Sequence, residues 1–253
     1  EQATAAELAS LYQELSREYV EALTEGKPIQ AVEEDLLVFL KLHAVGFEQL
    51  QATETRHAGP WEVQFNQLRS FRPRRIAAQV PASLRVPYDE AGFHFNKPFM
   101  QKEAFWAGEL YGRQATLFYN KYPFTDFHGL LVLDRLANHA QLLDITDHQY
   151  VFELCHKLEN KFKGVGFGYN SYGAYASVNH LHFQMFVDAE GLPVTNKCWR
   201  HNGGDKEYPA NVHVFDSVAD SWKFISDLHA AAQPYNALYL PGKVYVFPRK
   251  TQG

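Results

Sequence analysis

His180-Leu-His-Phe-Gln184, set in the run from Gly168 to Val187, decides how this chain is read. Side chains alternate across an extended segment. A strand over 180–187 therefore puts His180, His182 and Gln184 on one face and Leu181, Phe183, Met185 and Val187 on the other. Two imidazoles and an amide then stand in a row about 7 Å apart, backed by an apolar face. Just upstream, Tyr169-Asn-Ser-Tyr-Gly-Ala-Tyr-Ala-Ser177 is rich in small and hydroxyl-bearing residues, which lets backbone amides approach an anion closely.

Three readings of the row compete. Histidines on a half-buried strand face are often satisfied packing residues with no chemistry. His at i and i+2 on a strand can also share a metal ion. The nearest downstream acids, Asp188 and Glu190, fall in a turn through Pro193, so no local third ligand is in place. The third reading is nucleophilic attack by an imidazole at phosphorus, with the Gln184 amide as a neutral donor to phosphoryl oxygens. The adjoining small-residue segment favours the third.

The runs Tyr169-Asn-Ser-Tyr-Gly-Ala174 and Asn179-His-Leu-His-Phe-Gln184 resemble the histidine-triad superfamily, in the branch of nucleotidyl transferases and phosphorylases that ends the motif in Gln. Their pattern is most similar to GDP-L-galactose and GDP-D-glucose phosphorylases. Glu54-Thr-Arg56, Gln64-Phe-Asn-Gln-Leu-Arg69, Phe93-His-Phe-Asn-Lys97, Pro234-Tyr-Asn-Ala-Leu238 and Val244-Tyr-Val-Phe-Pro248 resemble further blocks of those enzymes in the same order. Asn120-Lys-Tyr-Pro123 and His128-Gly-Leu-Leu-Val-Leu133 depart from that pattern and resemble the dinucleoside-polyphosphate phosphorylases.

The resemblance implies a fold, a reaction and a site. The fold class is α+β, a histidine-triad-like antiparallel sheet with flanking helices. Residues 1–45 form an N-terminal helical segment and residues 46–253 the catalytic domain. His182 attacks the α-phosphorus of a nucleoside diphosphate compound, and inorganic phosphate accepts the nucleotidyl group from the resulting nucleotidyl-histidine. His180 holds the phosphate region or leaving group, and Gln184 donates without titrating. Ser177 and Asn179 donate to phosphoryl oxygens, Asn170 braces the loop or binds phosphate, and Asn120 meets the ribose. Lys97, Lys121 and His128 complete the substrate-binding set, although His128 reads equally as a packed strand-start residue. Phe118 and Tyr119 are candidates to sandwich a base or to be core aromatics. The substrate is a nucleotide sugar or a dinucleotide, and no cofactor or metal is implied. A nucleotide-binding protein whose site no longer turns over is the alternative of another class.

Composition frames these expectations. A chain of 253 residues, 46% hydrophobic and 21% charged, is ordinary globular protein. The net charge of −5 argues against a nucleic-acid surface. Arg69, Arg72, Arg74 and Arg75 read as a solvated strand edge or a polyphosphate lure, the former preferred. No apolar run reaches membrane-span length and no leader is visible, so a soluble, cytoplasmic protein is expected, with a homodimer left open. Cys155 and Cys198 lie far apart without a Cys-x-x-Cys pairing and read as free thiols.

Periodicity supplies the elements. Leu8, Leu11, Tyr12, Leu15, Tyr19 and Leu23 predict one helix, and Ile29, Val32, Leu36, Phe39 and Leu40 a second. Strands are expected at Arg75–Val80, Ala115–Asn120 and Gly129–Leu133. Thr146 with Gln149 fits a capping box for a helix with the stripe Val151, Leu154, Cys155, Leu158 and Phe162. That helix precedes Tyr169-Asn170 and a strand, and a helix near Val218–Ala232 precedes Tyr235-Asn236 and the strand Val244–Phe247. The echo predicts two histidine-triad-like halves, the second degenerate.

Overall fold

In a computed structural model the described residues are 4–29, 33–50, 54–59, 61–71, 83–120, 123, 125 and 127–250. Contacts divide the chain into two units, residues 1–76 and 77–253. The expected strand at Arg75–Val80, together with Lys121, Arg72, Arg74 and Arg75, lies outside the described residues.

The first unit opens with helix α1 (Ala5–Thr24), whose N-terminus is closed by a capping box. The Thr4 hydroxyl accepts from the Glu7 N–H, and the Glu7 carboxylate accepts from the Thr4 N–H at 2.7 Å. Helix α2 (Glu33–Val45) returns Phe39 and His43 to the Tyr12 ring, which also stacks on Phe47 at 4.9 Å. A hairpin of β1 (Glu54–Ala58) and β2 (Trp61–Phe65) and the short helix α3 (Gln67–Phe71) complete the unit.

In the second unit, β3 (Ala104–Leu110), β4 (Arg113–Tyr119) and β5 (Gly129–Leu133) lead into helix α4 (Ile145–Glu159). The strands β6 (Val165–Asn170), β7 (Phe183–Val187) and β8 (His213–Phe215) follow, then helix α5 (Val218–Ala230) and the strands β9 (Tyr235–Leu240) and β10 (Lys243–Pro248). They form one sheet in the order β3-β4-β5-β7-β6-β9-β10-β8, with every pairing antiparallel.

Alternation gives this sheet two working faces. On one, Leu131, Leu133, Phe167, Tyr169, Phe183, Ala237, Tyr239, Val244 and Val246 pack with Val151, Leu154 and Cys155 of α4 and Ile225 of α5. Each fully buried Leu, Val, Ile or Phe among them contributes about 1.5–3 kcal/mol. Polar ties fix the helices there. His148 on α4 bonds the Tyr239 hydroxyl at 2.7 Å and Ser221 Oγ on α5 at 2.8 Å. Arg113 ion-pairs with Asp134 and with Asp147, joining the start of β4 to α4. On the opposite face, Phe118 and Val132 make a smaller cluster with Phe95, Met100 and Val178. Gln184, paired across from Leu130, lies on this second face.

The predicted internal echo is present as topology. The unit β5-α4-β6-β7 recurs as β8-α5-β9-β10, and the sheet order places β5-β7-β6 against β9-β10-β8 about the central β6–β9 pair. Asn170 and Asn236, the second residues of the two Tyr-Asn motifs, are direct partners in that pair. The degenerate half joins β9 to β10 by Pro241 and Gly242 alone, where the first half has residues 171–182.

Two local expectations are corrected. Helix α4 is capped by Asp144, whose carboxylate accepts from the Asp147 N–H at 2.7 Å, so Thr146 already lies inside the helix. Phe162 lies beyond its end and is exposed. Both cysteines are free thiols. No helix among the described residues is long and apolar enough to cross a membrane.

Candidate active site

Strand β7 begins at Phe183, not at His180. Its partners run out first: β5 pairs no further than Leu131 with Phe183, and β6 no further than Gly168 with Gln184. Residues 180–182 stay extended because other groups take their backbone. The Leu181 N–H donates to the His139 carbonyl at 2.8 Å and the His182 N–H to Gln141 Oε1 at 2.9 Å. The alternation therefore survives: Leu181 and Phe183 enter the main core, while His180 and His182 both lie against Phe95 of the smaller cluster, at 5.5 and 5.2 Å.

The two imidazoles differ in what they can do. His180 is 1% exposed; its Nδ1 accepts from the Phe95 N–H at 3.2 Å, which leaves the proton on Nε2 to donate to the Arg135 carbonyl at 3.1 Å. Burial pushes its pKa down to about 4, so it is neutral and has both ring nitrogens engaged. His182 is 7% exposed, and its Nδ1 lies 2.8 Å from the His180 carbonyl. A carbonyl only accepts, so Nδ1 carries the proton and Nε2 keeps a lone pair with no hydrogen-bond partner among the described residues. Burial lowers the pKa of His182 as well, against a smaller opposing effect of the His180 carbonyl.

The other expected residues are placed as follows. Gln184 is half-buried on the His182 side of the sheet, its amide without a hydrogen bond among the described residues. Asn179 donates through both Nδ2 protons to the Val86 and Pro87 carbonyls and accepts the Gln141 N–H. Its side chain has no donor left for a phosphate and braces the loop. Asn170 accepts from Asn236 Nδ2 at 2.7 Å, and Asn236 also donates to the Ala174 carbonyl at 2.9 Å, so the degenerate half pins the small-residue loop. Ser177 is exposed on that loop, where Gly173 and Tyr175 adopt positive φ of 85° and 69°. Asn120 Nδ2 donates to His128 Nε2 at 3.0 Å across the β4–β5 connection. Lys97 Nζ donates to the Glu90 carbonyl at 3.0 Å. Phe118 is buried in the smaller cluster and is not available to stack on a base, whereas Tyr119 is 61% exposed and meets Phe105 at 4.8 Å.

Several contributors are found only in the structure. Residues 84–97 lie along the histidines. Tyr88 meets His180 edge-on at 5.3 Å, His94 lies 6.3 Å from it, and Phe95 touches both histidines. Arg135 Nη1 bonds Asn96 Oδ1 at 2.8 Å and fastens this segment. The Phe93–Lys97 block was visible in the sequence, but Gln141, Tyr88 and Arg135 carry no local signal. Among the described residues no group of three or more His, Cys, Asp or Glu is placed to hold a metal ion.

A profile of the family described as "GDPGP1-like, N-terminal domain" matches residues 60–186, just over half of the chain and the whole of the histidine segment. The chain belongs to this family. No curated protein matches its sequence. In fold, this GDPGP1-like chain is similar to yeast Ap4A phosphorylase Apa2 in complex with Ap4A, at 16% identity and a TM-score of 0.50, over 88% of this chain and 83% of that one. The same yeast enzyme without the Ap4A complex gives 17% identity and a TM-score of 0.50, over 87% and 80%. At such identities the likeness is one of fold, the histidine-triad-like sheet described above.

Proposed function

We propose that this GDPGP1-like protein is a nucleotidyl-transferring phosphorylase that works through a covalent nucleotidyl-histidine on His182. One observation carries the reading: the His180 carbonyl holds the proton on Nδ1 of His182, which keeps a lone pair on Nε2, on the sheet face that also carries Gln184.

The donor is a nucleoside diphosphate hexose of the GDP-hexose type. Nε2 attacks the α-phosphorus, a P–N bond forms, and the bond from that phosphorus to the bridging oxygen breaks, releasing hexose 1-phosphate. The ring becomes cationic, and the His180 carbonyl stabilises it through the Nδ1–H it already accepts. An oxygen of inorganic phosphate then attacks the same phosphorus, the P–N bond breaks, and the nucleoside diphosphate departs with His182 neutral again. Both leaving groups are stable as anions or as neutral imidazole, so neither step needs a third histidine as acid, and a non-titrating Gln184 suits a donor to phosphoryl oxygens. The loop 171–178 and Asn170 supply further donors to phosphate, with Lys97 and Lys121 as cations and Asn120 and His128 toward the ribose. His180, with both nitrogens occupied, orients His182 and does not itself meet the leaving group. The catalytic domain of this reading, residues 46–253, takes in the whole second unit together with residues 46–76 of the first.

The block at Asn120-Lys-Tyr-Pro123 favours a second reading, a dinucleoside-polyphosphate phosphorylase with the same intermediate. Incubation with phosphate and GDP-glucose, GDP-galactose, UDP-glucose, ADP-glucose or Ap4A in turn, with nucleoside diphosphate release as the readout, decides. The proposal predicts GDP and hexose 1-phosphate in equal amounts from a GDP-hexose. Turnover of Ap4A alone selects the second reading, and binding without turnover selects a non-catalytic binder.

A further inference from the structure

The β6–β7 ladder runs from Val165 opposite Val187 to Gly168 opposite Gln184. Two residues further would set Asn170 against His182, but there the strands splay and the side chain of Gln141 fills the gap. Gln141 Nε2 donates to the carbonyls of Asn170 at 2.9 Å and His182 at 3.2 Å, while Oε1 accepts the His182 N–H at 2.9 Å. The residue is 1% exposed, and its own backbone is fixed on both sides: its N–H donates to Asn179 Oδ1 and its carbonyl accepts from the Tyr169 hydroxyl, each at 3.0 Å. Two residues earlier, the His139 carbonyl holds the Leu181 N–H at 2.8 Å, which orients the peptide whose carbonyl receives Nδ1–H of His182. The segment 139–141 thus holds three consecutive peptide units around one imidazole.

We infer that Gln141 is a positioning residue for His182, a wedge between β6 and β7 that sets the direction and tautomer of the imidazole. The inference rests on His182 being the nucleophile proposed above. A primary amide is required, because only it offers two donors and an acceptor without charge. Asparagine is one methylene shorter and does not reach both strands. Gln141 meets no substrate; its effect on the reaction passes through the aim of Nε2, where a displacement of about 1 Å costs on the order of a hundredfold in rate.

Two variants and two readouts test this. Gln141→Met keeps the length and removes the hydrogen bonds. Gln141→Glu keeps the shape and acceptor but turns a carboxyl toward two carbonyl oxygens, which favours its protonated form. With α-radiolabelled GDP-glucose and no phosphate, single-turnover labelling is expected to slow about tenfold to a hundredfold in Gln141→Met with KM little changed. Gln141→Glu is expected to gain a new limb in the pH profile, the rate falling as the carboxyl ionises. Nitrogen NMR of the histidine rings, which needs no substrate, is expected to show one Nδ1–H tautomer for His182 in the parent and a mixture in Gln141→Met. Parent-like labelling, pH profile and tautomer in both variants, with only the unfolding midpoint lowered, overturn the positioning role. If His182→Ala still becomes labelled, or the parent does not, the nucleophile reading fails by itself, and the tautomer spectrum then judges Gln141 alone.

Discussion

At His182 the chemistry is set by which nitrogen carries the proton. The His180 carbonyl fixes Nδ1–H, and burial lowers the pKa of the ring, so Nε2 stays a lone-pair donor at pH values where an exposed histidine is half protonated. The acid limb of the nucleotidylation rate is therefore expected below pH 6.5, read from single-turnover rates; a limb above it would show that the ring is not held neutral. His180 differs. Replacing it with Leu strands the Phe95 N–H and the Arg135 carbonyl, and is expected to cost about 2–4 kcal/mol in urea unfolding together with activity. Full stability with lost activity would instead make His180 a direct participant. The row of His180, His182 and Gln184 was legible in the sequence because alternation depends only on extended backbone. The difference between the two imidazoles was not, because it is made by carbonyls at positions 135 and 180 and an N–H at position 95.

Elements place these residues through register. Gly164 precedes β6 with φ of 83°, and a Cβ there would lie 2.1 Å from the Asp188 carbonyl oxygen, the segment whose N–H bonds the Gly164 carbonyl at 2.8 Å. That approach anchors Val165 opposite Val187 and so Gly168 opposite Gln184. A slip of one residue would turn Gln184 into the core. Gly164→Ala is expected to destabilise by more than about 1 kcal/mol through strain at this φ and loss of close approach, measured by chemical denaturation, and to lower activity with it. A variant of parental stability would remove Gly164 from the register argument. The helices α1, α4 and α5 and the apolar strands β4, β5 and β10 were legible in the sequence, whereas Tyr235–Leu240 was visible only through the family resemblance of its block. Strands β3 and β8 were not: Ala104–Leu110 mixes Trp106, Gly108 and Glu109 on an edge, and His213–Phe215 is three residues long. The start of β7 was misplaced because side chains and a distant carbonyl, not a neighbouring strand, take the backbone bonds of residues 181 and 182.

Across the whole molecule, burial leaves three further imidazoles neutral. His148, between α4, α5 and β9, and His180 and His229 all have pKa values pushed down to about 4, with desolvation the main cause. Their ordinary value is 6.5, so between pH 6.5 and 4 the unfolded chain binds more protons than the folded one. Stability is then complete above pH 6.5 and is lost as pH falls toward 4. Unfolding free energy measured against pH is expected to drop across this window and to drop less steeply in His148→Phe; a flat profile would show that these rings take up protons without unfolding. The doubled topology has a functional side as well, since Asn236 of the degenerate half steadies Asn170 and the loop before the histidines. The proposed reaction nevertheless turns on a single bond, from Nε2 of His182 to phosphorus. Intact-protein and peptide mass analysis after mixing with GDP-glucose or Ap4A in the absence of phosphate tests it most directly. The predicted result is one nucleoside monophosphate on His182, discharged by added phosphate and absent in His182→Ala. Turnover with no adduct on His182, or an adduct on another residue that persists in His182→Ala, would contradict it.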